Sequence, residues 1–180
     1  MKPIHIGPQD ALPDLQPCYD GLLQWHCANV NAAPPWMLMK AQMGQESRFN
    51  PLAVSPTGPV GLFQFTAATW GDYSQPGDDR RDIFKMTGAA VRYMRALVLW
   101  AVNHNVSGDD VYRFALGAYN AGQGNLLKAM KAAEKSGADP WLWGNIPSAL
   151  LGIVKPAKIE EVTSYVNRNM EQWKAYEASA

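Results

Sequence analysis

Few side chains in this sequence suit redox or metal chemistry. Of its 180 residues two are cysteines, Cys18 and Cys27, and three are histidines, His5, His26 and His104. On one unbroken helix the cysteines would stand about 13 Å apart along the axis, too far for a disulfide. They read as small buried hydrophobes. The histidines form no His-x-x-x-His or Glu-flanked pair, so neither a metal site nor a cofactor is expected. Charge is also scarce. Charged residues make up 18% of the chain, and sixteen basic side chains cancel sixteen acidic ones. The clustered basic excess of a nucleic-acid-binding protein is missing. The longest apolar run, Ala96 to Val102, is too short to cross a bilayer. Lys2 is followed by no apolar stretch, so no secretory leader is visible. Gly122-Gln123-Gly124 lacks the preceding strand and third glycine of a dinucleotide loop, and no Gly-x-Ser-x-Gly elbow occurs. The most informative absence is local: from Ser47 to Gly71 there is no Asp or Glu.

What is present points to a single globular domain over residues 1–180. The length suffices for a sizeable core, and 47% of the residues are hydrophobic. Residues 1–14, with Pro3, Pro8 and Pro13, read as an irregular arm. A first helix is expected from about Leu15 to Val30, with Leu22, Trp25 and Val30 as its apolar contacts. A second starts after Pro34-Pro35, a pair suited to a first helical turn, and runs to about Glu46. Residues 50–59 are rich in proline, serine and glycine and read as a loop or a small hairpin. Helices follow near Thr66–Tyr73 and over Ile83–Asn103. Ser107 and Asp110 have capping-box spacing for another helix that stops at Gly122. Further helices are expected over Leu126–Lys135 and Ala157–Ala178. Strand signals are nearly absent, so the fold class is all-α, mainly helical with room for one small β-hairpin.

On the second helix Trp36, Met39, Met43 and Glu46 share one face at 3.6-residue periodicity. Glu46 thus continues an apolar stripe at the helix C-terminus. Burial and the negative end of the helix dipole both disfavour its carboxylate, and no cation shares the stripe. A carboxylic acid that must donate a proton near neutral pH needs this setting. An exposed Glu at a frayed helix end is the plainer alternative. Three further blocks follow. Gly61-Leu62-Phe63-Gln64 offers a backbone able to approach a ligand and an amide that both donates and accepts; taken alone, a strand entry into the core is the alternative. Ala118-Tyr119-Asn120-Ala121-Gly122 places a phenol and an amide at a helix end; alone it reads as a helix stop with a core tyrosine. Glu161-Val162-Thr163-Ser164-Tyr165-Val166 lies on the last helix, where Tyr165 alone reads as core. Trp141 and Trp143, in a Pro/Gly loop, read as core caps or as sugar-stacking platforms. Trp70, Trp100 and Trp173 read as core.

In this order and spacing the four blocks resemble the catalytic domain of soluble-type lytic transglycosylases, the goose-lysozyme-like branch of the lysozyme superfamily. The resemblance covers roughly Pro34 to Met170, and Ser55-Pro56-Thr57-Gly58 matches a further family position. It departs at Val162-Thr163, where the family usually has Thr-Arg. The resemblance implies a lysozyme-like fold and cleavage of the β-1,4 bond between N-acetylmuramic acid and N-acetylglucosamine in peptidoglycan. It implies Glu46 as the sole catalytic acid/base. Ser55 and Gln64 would hold the acetamido sugar, Tyr119 and Asn120 would line the cleft, and Tyr165 would orient Glu46. The expected partner is the peptidoglycan glycan strand, with no nucleic acid, no membrane span and a monomeric chain.

One carboxylate can suffice. Most glycosidases use two, but an N-acetyl sugar can supply its own acetamido oxygen as nucleophile. Asp72, Asp78 and Asp79 keep a hydrolytic alternative open, although as loop residues they read more simply as solvated. A catalytically silent wall-binding or virion-structural module is a third reading, which the intact Glu46 argues against. The compact organisation resembles a phage endolysin, made in the host cytoplasm and acting on the wall in the periplasm; a bacterial wall-remodelling enzyme and a secretion-system or tail-associated enzyme are the alternatives.

Overall fold

The computed structural model describes residues 17–180. A single 3-10 turn, Pro17–Tyr19, leads into α1 (Asp20–Ala28) and α2 (Trp36–Ser47). The remaining helices are α3 (Ala67–Tyr73), α4 (Ile83–Asn103), α5 (Asp110–Ala121), α6 (Gln123–Lys135), α7 (Ile146–Ala149) and α8 (Pro156–Ala178), with a 3-10 turn over Trp143–Asn145. Among the described residues there is no strand, only three isolated β-bridges. The all-α expectation holds. The irregular arm expected over residues 1–14, and the start expected for the first helix at Leu15, lie outside the described residues.

The chain forms two compact units. One comprises residues up to Tyr93 together with Gln172–Ala180; the other is Met94–Glu171. The boundaries fall inside α4 and α8.

In the first unit, α2 begins after Pro35, which sits at the N-cap (φ −55°, ψ 134°) rather than inside the first turn. The helix ends where Arg48 turns left-handed (φ 53°, ψ 40°) and its N–H closes on the Gly44 carbonyl at 2.9 Å. Leu38, Met39, Met43, Leu62, Phe63 and Met86 are fully buried and form the core. The loop after α2 folds on itself through Val60, which bridges Val54 on one side and Phe65 on the other. This is the small hairpin-like element that the sequence allowed. Thr66 caps α3, its Oγ1 accepting the Thr69 N–H at 3.1 Å. Asp82 likewise accepts the Lys85 N–H at the start of α4.

The face of α1 differs from expectation. Leu23 and His26 are buried, whereas Trp25 is 50% exposed and Leu22 and Val30 are half-buried. His26 takes the inner place because Gly88 on α4 leaves room for it: a Cβ there would sit 2.9 Å from His26 Cε1. The cysteines also divide. Both are free, but Cys18 is exposed and only Cys27 is partly covered, so the expectation of two buried hydrophobes fails at Cys18. It lies on the 3-10 turn ahead of α1, not on the helix that buries Cys27. Lys40 is buried, its ammonium 2.7 Å from Asp20 Oδ1 and 2.9 Å from Oδ2, with the Tyr176 ring centroid at 4.8 Å.

In the second unit, α5 packs Phe114, Ala115, Leu116 and Ala118 inward. The expected Ser107 cap does not form: Asp109 holds the N-cap position, with no side-chain cap bond. Asp110 instead uses Oδ1 to pair with Arg113 and Oδ2 to accept the Trp143 N–H, each at 3.0 Å. Gly122 (φ 87°) ends α5 and starts α6 directly, three residues earlier than expected for α6, because the Asn125 and Leu126 N–H groups both turn back onto its carbonyl. Of the three tryptophans expected in the cores, only Trp173, in the first unit, is buried, at 7% exposure; Trp70 and Trp100 are half-buried.

Candidate active site

Glu46 is the next-to-last residue of α2 and is half-buried. Met39 and Met43, earlier on the same stripe, are fully buried, so the helix carries Glu46 outward from the core along its apolar face. Ser47 is anchored by its hydroxyl to the Met43 carbonyl at 3.1 Å. Arg48 and Phe49 follow with φ of 53° and 63°. Left-handed backbone at non-glycine residues is held only where surrounding packing enforces it. Here the Phe49 ring fills the space beside Gly44, which has no side chain, and stacks on Tyr19 with centroids 6.3 Å apart.

Ser55 and Gln64 both lie on the folded loop, on opposite sides of Val60. Ser55 follows the Val54 bridge residue and Gln64 precedes Phe65, and both bridges converge on Val60. The Gln64 Nε2–H donates to the Gly61 carbonyl at 2.9 Å and to the Ala53 carbonyl at 3.3 Å. The donor half of the amide is thereby committed to the loop, and Oε1 remains as the acceptor. Gln64 has φ 48°, a third left-handed non-glycine residue in this region. Ser55 Oγ is 3.2 Å from Thr57 Oγ1. Of the two readings of the Gly61 block, ligand approach and entry into the core, Gly61 itself shows the second, packing against the core. At φ 76° its missing Cβ leaves the space that the Met86 thioether fills, and Met86 Sδ accepts the Leu62 N–H at 3.0 Å.

The nearest carboxylates beyond the acid-free stretch differ in their commitments. Asp78 accepts the Gln75 N–H at 2.9 Å and pairs with Lys85 at 3.2 Å. The Gln75 backbone N–H, then Lys85, hold its carboxyl below the usual range. Asp79 accepts the Arg81 N–H at 2.8 Å. Both shape the loop before α4. Asp78, read from sequence as solvated, has a side chain only 7% exposed. Asp72 is exposed on α3.

In the second unit, Tyr119 and Asn120 are half-buried on the last turn of α5. Asn120 Nδ2–H donates to Glu161 Oε1 at 3.2 Å, and the Lys158 ammonium donates to the same oxygen at 2.7 Å. Glu161, which the sequence reading quoted only as the first residue of its last block, is the partner of Asn120. Its position four residues before Tyr165, one turn along α8, was the available signal. Asn120 Oδ1 is enclosed and has no hydrogen-bond partner among the described residues. Tyr165 is 6% exposed, as its core reading expects. The two loop tryptophans separate: Trp143 is buried edge-on against Phe114, centroids 5.6 Å apart, while Trp141 is 46% exposed.

Residues 25–142 match the transglycosylase SLT domain family. The chain belongs to this family. The chain is 31% identical over 155 residues to a membrane-bound lytic murein transglycosylase F of Vibrio vulnificus, covering 81% of this chain and 28% of that protein. It is 37% identical over 123 residues to the protein of that name from Maricaulis maris, covering 68% and 26%. The chain spans about a quarter of the length of these relatives. The crystal structure of the 70 kDa soluble lytic transglycosylase of Escherichia coli superposes with a TM-score of 0.61 at 24% identity, covering 88% of this chain and 24% of that one. The lysozyme-like fold expected from sequence is thereby shown.

Proposed function

We propose that the protein is a peptidoglycan lytic transglycosylase that cleaves the β-1,4 bond between N-acetylmuramic acid and N-acetylglucosamine with Glu46 as its single acid/base. The observation that carries this reading is the setting of Glu46. It is half-buried at the end of an apolar helical face, twenty-five acid-free residues follow it, and Asp78 and Asp79 beyond them are engaged in the loop.

In the first step the Glu46 carboxyl gives its proton to the bridging oxygen. The C1–O bond breaks as the muramic acetamido oxygen attacks C1, forming a cyclic oxazolinium. In the second step the sugar's own O6 attacks C1 and displaces the acetamido oxygen, while the Glu46 carboxylate takes the O6 proton. A 1,6-anhydro ring results, Glu46 is reprotonated, and no water is consumed. Gln64 Oε1, with its amide fixed by two carbonyls, suits an acetamido N–H, and Ser55 Oγ suits a sugar hydroxyl. Tyr119, Asn120 and Tyr165 are the proposed glycan-binding residues of the second unit.

The glycan strand is the proposed partner of a monomeric enzyme. Among the described residues no helix is long and apolar enough to cross a membrane. Delivery to the periplasmic wall as a phage endolysin is the biological role proposed.

The test is mass spectrometry of digested sacculi. Anhydro-muramyl products from the wild type, with loss of at least a hundredfold in Glu46→Gln, are expected for a general acid. Products with only reducing muramic ends would replace this mechanism by hydrolysis through Asp72. Unchanged lysis by Glu46→Gln would remove the assignment altogether.

A further inference from the structure

Within the second unit the end of α6, the loop after it and α7 enclose a cleft of about 350 Å³. Its lining includes Ala132, Ser136, Ala138, Asn145, Ala149 and Leu151, and none of the lining side chains is charged. The volume lies at the lower end of the range of about 300–1,000 Å³ typical of small-molecule sites, enough for a ring-sized group. A floor of alanine and serine is smooth and shallow. Without cations it does not suit phosphate, and without carboxylates it does not suit a metal ion.

The loop that runs from Ala138 to Asn145, both lining residues, carries Trp141. Asp139 braces it twice: its Oδ1 accepts the Trp141 N–H at 2.8 Å, and its carbonyl accepts Asn145 Nδ2–H at 3.0 Å. Two residues on, Trp143 is buried on Phe114 and over Gly117, whose missing Cβ would lie 2.5 Å from the indole Cη2. Trp143 therefore anchors the loop, and Trp141 is offered to solvent at 46% exposure beside Leu142 at 49%; Leu151, on the cleft itself, is 66% exposed. Exposed apolar groups gathered on one segment mark binding surfaces. With its Nδ2 held by Asp139, Asn145 keeps its Oδ1 as an acceptor that is unused among the described residues.

We propose that this cleft and Trp141 form a second glycan-binding site for one N-acetylated amino sugar of the strand. The chemistry is specific. A pyranose presents an apolar C–H face to an indole, an aromatic body with a polar edge. Its acetamido methyl fits the small-residue floor, and its acetamido N–H fits Asn145 Oδ1. The choice of amino sugar over other neutral rings rests on the lytic transglycosylase reading above. The site shares no residue with the proposed cleavage machinery. Its role is to retain a strand between cuts.

The test is titration of ¹⁵N-labelled Glu46→Gln protein with triacetylchitotriose, followed at the seven indole N–H resonances. Trp141→Ala identifies the Trp141 resonance and, being a surface change, leaves the far-UV circular dichroism intact. The expected result is a saturable shift of that resonance, with an apparent Kd raised about tenfold or more in Ala132→Trp, which fills the cleft from an exposed position. A Trp141 resonance that stays still through the titration overturns the proposal. So does one that shifts equally in Ala132→Trp, since the cleft would then take no part. Cleavage is scored separately on wild-type sacculi. Sugar binding at Trp141 without anhydro products would refute the catalytic reading alone, and anhydro products with a silent Trp141 would refute this site alone.

Discussion

Gly61→Ala separates the two roles that a glycine can have beside a ligand-binding residue. At φ 76° any other L-residue is strained, by about 1–2 kcal/mol. The new Cβ would collide with Met86 Cε and stand 2.5 Å from Sδ. Met86 is fully buried, so its thioether can move only into occupied space, and overpacking of this kind costs about 1–3 kcal/mol. Moving Sδ also breaks its bond from the Leu62 N–H, worth about 0.5–1.5 kcal/mol. Together these come to about 2.5–6.5 kcal/mol, a large part of the stability of about 5–15 kcal/mol of an ordinary domain. Gly58→Ala is the control: its φ is 103° but nothing lies within 4 Å of the added Cβ, so only the backbone cost applies. Urea unfolding of both variants should place Gly61→Ala at least about 2 kcal/mol below Gly58→Ala. Adding Met86→Ala to Gly61→Ala should cost less than the two single changes summed, because the collision is gone. Equal losses in the two alanine variants, or strict additivity with Met86→Ala, would refute the packing argument.

Three other outcomes follow from the same geometry. Burial first, and then the charge of Arg92, hold the His26 imidazole below its ordinary range, only partly offset by a hydrogen bond to the Phe84 backbone. The unfolded chain therefore binds that proton more readily; stability is full above the ordinary histidine range and falls as pH drops through it toward the native value, and His26→Phe should flatten this limb in denaturation between about pH 7 and 5. Burial pushes the Cys27 thiol up to about 12, and Cys18 is exposed; iodoacetamide near about pH 8 should label one cysteine in the native protein and the second only after unfolding, as peptide mass mapping would show. Glu161→Ala frees the Asn120 amide, so KM for wall fragments should rise several-fold in steady-state assays, while the melting midpoint barely moves because the Glu161 ion pair is exposed.

The helices were largely legible, for identifiable reasons. Ile83–Asn103 and the end of α5 at Gly122 follow from apolar periodicity and a glycine stop, both local properties. The misses needed tertiary knowledge. His26 turns inward on α1 because Gly88, over sixty residues away, has no side chain. Asp110 abandons a cap to hold the Trp143 N–H, a partner thirty-three residues along the chain. Trp141 and Trp143 look alike in sequence, and only Gly117 distinguishes the one that finds a socket. At the candidate site, the sequence names Ser55 and Gln64 as sugar-holding residues, but which half of the Gln64 amide stays available depends on the carbonyls of Ala53 and Gly61, which no sequence pattern shows. The pairing of Glu161 with Asn120 was not legible, because the two stand forty-one residues apart in the chain.

The buried Lys40 sets an order of events during synthesis. Its ammonium rests on Asp20 and against the ring of Tyr176, and residues 172–180 belong to the same compact unit as Glu46. A nascent chain can form α1, α2 and their shared ion pair early, yet one wall around that cation arrives about 136 residues after Lys40. Contacts so distant along the chain are closed late. The unit that carries the proposed acid is thus completed only once the final turns of α8 have left the ribosome, and an incomplete chain lacks the packing that shelters Lys40.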